Sequence, residues 1–137
     1  MSGGVRRAGR RLITLLRVDA RGSLQAVATR DEAQYPNWFV QYAQGYFERH
    51  LTRYAGKPGI RFLQIGAYTG DATAWLLDRV LTGPDAILVD VDTWSGSDEE
   101  GHEQMDFGEV ERIYDSRTAR MRSAGRLIKH KGTSKSF

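Results

Sequence analysis

With 137 residues, 40% hydrophobic and 27% charged, the chain has room for one domain with a modest core and an ordinary soluble composition, not a disordered one. The absence of cysteine excludes a disulfide framework and any thiolate metal site, and suits a cytosolic setting. The net charge of +3 is unevenly held: residues 1–30 carry seven arginines against Asp19, a net of +6, whereas residues 31–137 carry 13 basic and 16 acidic side chains, a net of −3. By composition, then, the body is not a basic nucleic-acid binder. No apolar run approaches the ~20 residues of a membrane span.

Residues 1–30 read as a basic N-terminal extension. Leu12, Ile13, Leu15 and Leu16 fall on one side of a short basic amphipathic helix, a type of segment that sits on anionic membranes or nucleic acid. The same stretch mimics an Arg-rich transit peptide, and a solvated extension or docking arm is the plainer alternative. From Pro36 the pattern changes. Phe39, Ala43, Tyr46, Phe47, His50, Leu51 and Tyr54 recur three and four apart, which predicts a helix with an aromatic core face, capped by Asn37 and ended by Gly56.

A loop signal, Lys57-Pro58-Gly59, then leads to a short apolar strand at 61–65. A glycine turn follows, and a helix over 71–81 closes at Gly83-Pro84. Residues 86–92, AILVDVD, form a second strand whose near-continuous apolar character predicts burial on both faces. Asp106 to Glu109 has the form of a capping box opening a helix to about Ser123, with Phe107, Val110, Tyr114 and Met121 inward. Residues 126–131 are the third strand. The alternation of helix and strand predicts an α/β, Rossmann-like, doubly wound parallel sheet, here about three strands with flanking helices. The 61–65 strand is expected in the middle of a complete sheet and, in the order 3-2-1, at the edge of this half.

Between the first two strands lies IGAYTGD. A strand ending in Gly66, a tight turn, Gly70 and a helix opening at Asp71 is the geometry of a nucleotide-type site, because glycine allows close backbone approach and a helix start favours polar or anionic groups. Asp92 follows Gly70 by 22 residues, at the end of the second strand. An acid there can accept hydrogen bonds from a ribose diol; Asp90 competes for that role from deeper in the strand. A plain strand-end acid is the other reading.

The run IGAYTGDATAWLLDRVLTGPDAILVDVDTWSGSDEEGH resembles the S-adenosylmethionine site of class I methyltransferases, closest to the small-molecule O-methyltransferase-like group frequent in bacteria and bacteriophages. The resemblance covers about residues 35–137, the N-terminal half of that domain. It implies methyl transfer to a small-molecule or sugar oxygen, with S-adenosylmethionine as cofactor, in the cytoplasm, the host's if the chain is bacteriophage-encoded. It also implies that Gly66, Ala67, Tyr68 and Gly70 line the methionine part of the cofactor. Asp92 would hold the ribose, Thr93 and Trp94 would lie beside the adenosine, and Gly132, Thr133 and Ser134 would border the adenine. Gln64 stands where the family usually has an acid, and Tyr68 where it has a middle glycine.

The family fold has seven strands and the recognisable motifs here stop after the third. The sequence therefore carries a second expectation, that the chain is a non-catalytic remnant serving as an interaction or assembly module, or that a homo-oligomer or partner chain completes the sheet. Two further clusters stand out. Asp98, Glu99, Glu100, His102, Glu103 and Asp106 could hold a divalent cation, but a solvated acidic loop is the ordinary reading; His102 could also serve as a general base. Arg112 to Lys135 carries eight basic residues against Asp115, which reads as a solvated helix and strand edge, not as a phosphate-binding face.

Overall fold

The structure, a computed structural model, describes residues 30–31, 34–97 and 102–137, together with the backbone of 15–18 and 24–27. Strands β1 (Leu15–Val18) and β2 (Leu24–Val27) pair antiparallel, Leu15 opposite Val27 and Val18 opposite Leu24. The expected amphipathic helix is thus corrected at Leu15 and Leu16; Leu12 and Ile13 lie outside the described residues. Leucine serves either conformation. A partner strand a few residues on supplies the ladder hydrogen bonds that decide the matter, which a reading of one face alone does not weigh.

The helical stretch that follows is broken in three. A π turn over Phe39–Ala43 precedes helix α1 (Gln44–Leu51), and a 3-10 turn covers Thr52–Tyr54. Asn37 caps it as expected, its Oδ1 accepting from Val40 N at 3.0 Å. The aromatic face is only partly core: Phe39, Phe47, Leu51 and Tyr54 are half-buried, whereas His50 is exposed and Tyr46 is 66% exposed. A π turn holds an extra residue, so the face read at a constant 3.6 period rotates out of phase beyond it. Phe39 and Phe47 pack edge-on to each other and around Trp75, which fastens α1 to the next helix.

Strands β3 (Arg61–Ile65), β4 (Ile87–Asp92) and β5 (Leu127–Lys131) form a parallel sheet in the order β3-β4-β5, with Gln64 beside Asp90 and Asp90 beside Lys129. The fold is therefore α/β and Rossmann-like, in the 3-2-1 order; the middle strand is β4, and β3 is an edge. Helices α2 (Asp71–Arg79) and α3 (Phe107–Ser123) make the two crossovers, and both reach Asp90 through Thr73 and Tyr114, so they cover the same face. Arg126 ends α2 by donating to the carbonyls of Leu77 and Leu81, each at 2.7 Å, where a cation meets the negative end of the helix dipole. Asp106 caps α3, accepting from Glu109 N at 3.1 Å, but the box stays half-made because Glu109 pairs with Arg112 instead.

The core lies between the helices and this one face: Leu76, Leu77, Leu81, Leu88, Val110, Ile113 and Tyr114 are all buried. The opposite face leaves Leu63, Ile65 and Ile128 at 53%, 65% and 52% exposure. Burial of β4 on both faces is accordingly corrected: Leu88 and Asp90 are sealed by helices, Ile87 and Val89 on the other face are only half-buried, and of that face's β4 residues Val91 alone is buried.

Candidate functional site

The carboxyl ends of the three strands bring Gly66, Asp92 and Gly132 side by side. The sheet continues past its strands, Gly66 N donating to Val91 O at 2.8 Å and Gly132 N to Asp92 O at 2.9 Å. The two glycines of the turn have different reasons to be glycine. Gly66, at φ 83°, has no heavy atom within 4 Å of where a Cβ would stand, so its backbone is open to approach. Gly70, at φ 80°, would put a Cβ 3.1 Å from Cδ2 of Tyr114; it makes room for α3 and no ligand. Between them Tyr68 takes φ 50°, and beyond β4 Trp94 takes φ 45°. The middle residue thus takes the left-handed conformation that glycine adopts freely, at a cost of ~1–3 kcal/mol.

Asp92 and Trp94 hold that conformation. Asp92 Oδ2 accepts from Ala67 N at 2.8 Å and Tyr68 N at 2.9 Å, and Oδ1 accepts from Trp94 N at 2.8 Å. Trp94 Nε1 donates to Tyr68 O at 3.0 Å. The carboxylate therefore staples the glycine turn to the end of β4. Of its roughly four lone-pair sites three are engaged, which leaves room for one ligand hydroxyl and not for a diol.

A cleft of about 480 Å³ opens over these strand ends. Gly66, Tyr68, Asp92, Thr93, Trp94, Gly132, Thr133 and Ser134 all line it, so eight of the ten residues singled out from the sequence converge. Ala67 is buried and faces a smaller adjoining cleft of about 370 Å³, and Gly70 is sealed beneath α3. Trp94 is buried too: its ring lies 4.7 Å from that of Tyr114, with the Lys129 ammonium 4.5 Å from its centre. Sequence reasoning passed over Trp38, which lines both clefts. An aromatic residue next to the Asn37 cap, just outside the helical period, was the available signal.

His102 also lines the larger cleft. Ser97 N donates to its Nδ1 at 3.3 Å, with Ser97 Oγ 2.9 Å away. A backbone N–H only donates, so Nδ1 is the acceptor and the neutral ring carries its proton on Nε2. The lone pair that a general base would need is already engaged.

Beneath the turn sits a buried polar cluster. Asp90 is fully buried, its Oδ2 accepting from Thr73 Oγ1 at 2.7 Å and from the Tyr114 hydroxyl at 2.8 Å. Gln64 Nε2 donates to Thr73 Oγ1 at 3.1 Å. Neither Asp90 Oδ1 nor Gln64 Oε1 has a donor among the described residues. Lys129, its neighbour on β5, turns its ammonium to Glu111 at 2.6 Å and Asp115 at 2.9 Å. Burial pushes the Asp90 carboxyl up to about 6 from 3.8, the Asp92 charge adds to the rise, and the two hydroxyls oppose it. Burial and the Asp90 charge likewise raise the Tyr114 phenol. Asp90 is thus an interior group, whereas Asp92 is the acid at the cleft.

Asp71, the first residue of α2, is gripped by two arginines. Arg30 and Arg117 both pair with it, and Thr69 Oγ1 donates to it at 2.7 Å. Five of the eight basic residues of Arg112 to Lys135 are likewise paired with acids: Arg112, Arg117, Arg122, Lys129 and Lys131. Among the described residues no group of three His, Asp or Glu is placed to hold a metal ion; Asp98, Glu99 and Glu100 lie outside them. No described helix is long and apolar enough to cross a membrane. No family model, curated protein or solved structure matches the chain.

Proposed function

We propose that the chain is an S-adenosylmethionine-binding, class I methyltransferase-like domain of the small-molecule O-methyltransferase type. The observation that carries this is the cleft at the carboxyl ends of parallel strands, floored by the open backbone of Gly66 and flanked by Asp92. Open α/β sheets bind their ligands in that crevice. Gly66 and Tyr68 would hold the methionine part, with Ala67 and Gly70 shaping the turn from beneath. Asp92 would accept one ribose hydroxyl through its remaining lone pair. Thr93 and the Gly132-Thr133-Ser134 turn would border the adenosine, with Trp94 backing the site from the core. Gln64 offers an amide where an acid is usual, so an ammonium held there has no ion pair.

When bound, the cofactor supplies an electrophilic methyl on a sulfonium whose departure leaves a neutral thioether. The described residues of the cleft would orient and desolvate it, and the Nδ1 lone pair of His102 is already engaged by Ser97 N. The methyl acceptor would be a small-molecule or sugar oxygen. Cytoplasm, that of the host if the chain is bacteriophage-encoded, is the compartment that holds the cofactor.

A second reading, an assembly module without catalysis, is favoured by the exposed Leu63, Ile65 and Ile128 on the uncovered sheet face. Calorimetric titration with S-adenosylhomocysteine separates the two. Saturable binding at one site supports the first reading; no heat and no thermal shift at millimolar ligand rejects it and leaves the second.

A further inference from the structure

Trp38 joins parts of the site that the chain places far apart. Its indole stacks on Tyr68 of the glycine turn, with centroids 4.7 Å apart and planes at 25°, and on His102, at 5.6 Å and 26°. Both partners are anchored. Tyr68 is held through its N by Asp92 and through its O by Trp94, and His102 is held by Ser97. Trp38 itself sits at the start of the π turn, its N donating to Pro36 O at 3.0 Å. The ring therefore spans the gap between two loops at the ends of adjacent strands.

It also stands where the two clefts meet. Trp38, Ile65, Gly66 and Tyr68 line both, and the compartments on either side differ in chemistry. The larger offers the polar strand ends at Asp92, Thr93 and Gly132. The smaller is walled by Phe39, Tyr42 and Phe47, and Gln64 also lines it. We propose that Trp38 is the specificity-determining partition of one continuous groove. It selects ligands with two unlike ends, a flat polar heterocycle with its sugar in the larger compartment and a short amino-acid chain in the smaller, joined by a thin link past Gly66. This rests on the reading of the cleft as an S-adenosylmethionine site, and adds the residue that makes both ends count.

The test compares two probes on the full chain, adenosine, which fills one compartment, and S-adenosylhomocysteine, which fills both. The unaltered protein is expected to bind S-adenosylhomocysteine more tightly than adenosine by about tenfold or more. Trp38→Ala should erase most of that advantage while changing adenosine affinity by less than about threefold, and Trp38→Phe, which keeps a ring to stack, should restore it. An advantage undiminished in Trp38→Ala overturns the partition and leaves the cofactor reading standing, as does equal weakening of both probes in a folded Trp38→Ala protein. If the unaltered protein binds neither probe, the cofactor reading fails first and the partition falls with it.

Discussion

The two faces of the three-stranded sheet obey different rules. On the face under α2 and α3, Leu88 and Leu127 are 0% and 4% exposed, and even a carboxyl, Asp90, is sealed in. On the other, Leu63, Ile65 and Ile128, equally apolar and from the same sheet, stand more than half exposed. Strand alternation sends successive side chains to opposite faces, so the sequence of one strand feeds both environments. A side chain's contribution to stability is therefore decided by what covers it, and one face of this sheet is sealed by helices while the other is covered only in part, at Val91.

The largest test of that contrast is Leu88→Ala, which should lose about 2–5 kcal/mol of stability by leaving a cavity under the helices. Chemical denaturation measures it, and a loss below about 1 kcal/mol would mean that the covered face is not the core. Next in size is the pH dependence set by Asp90. Its folded pKa, about 6, lies above its ordinary value of 3.8, so the folded state holds the proton more tightly. The stability this confers is complete below pH ~4 and is lost as pH rises through about 6, a change on the order of 3 kcal/mol. Asp90→Asn should flatten that slope in denaturation curves taken across the window; an unchanged slope would place the titrating group elsewhere.

A smaller effect is expected at the rim. Asp92→Ala removes the acceptor for three backbone N–H groups, which should cost about 1–3 kcal/mol and loosen the glycine turn. Hydrogen exchange at the Ala67, Tyr68 and Trp94 amides reports it directly, and protection that survives the substitution would refute the staple. It should also abolish S-adenosylhomocysteine binding, since the turn and the ribose contact go together. The smallest change belongs to the open face: Leu63→Ser and Ile65→Ser should shift stability by no more than about 0.5 kcal/mol while lowering self-association in sedimentation. A penalty as large as that of Leu88→Ala would show the face to be covered.

Local signals made much of this legible. Gly66, Gly70, Gly83 and Pro84 punctuate the turns, and the apolar runs at 61–65 and 86–92 mark strands without reference to distant residues. The site followed from topology, since parallel strands bring their carboxyl ends together and thus assemble Gly66, Asp92 and Gly132. What was not legible depends on partners remote in sequence. That Asp92 also holds the amides of residues 67 and 68, 25 and 24 positions away, has no local marker. Leu15 and Leu16 read as a helix face until Ala26 and Val27 are seen opposite them. The phase slip of the π turn, which moved Tyr46 outward, has no marker in a pattern assumed to repeat evenly.

The grip on Asp71 has a consequence for how the chain can be cut. Arg30 is a tryptic site by sequence, yet its side chain is 3% exposed and tied to Thr69 and Asp71. A protease needs that side chain in its own pocket and the backbone around it extended, so hydrolysis after Arg30 must wait for a local opening that breaks the ion pair. Arg30 is thereby fastened to the glycine turn, and removing it would leave the first residue of α2 paired with Arg117 alone among the described residues.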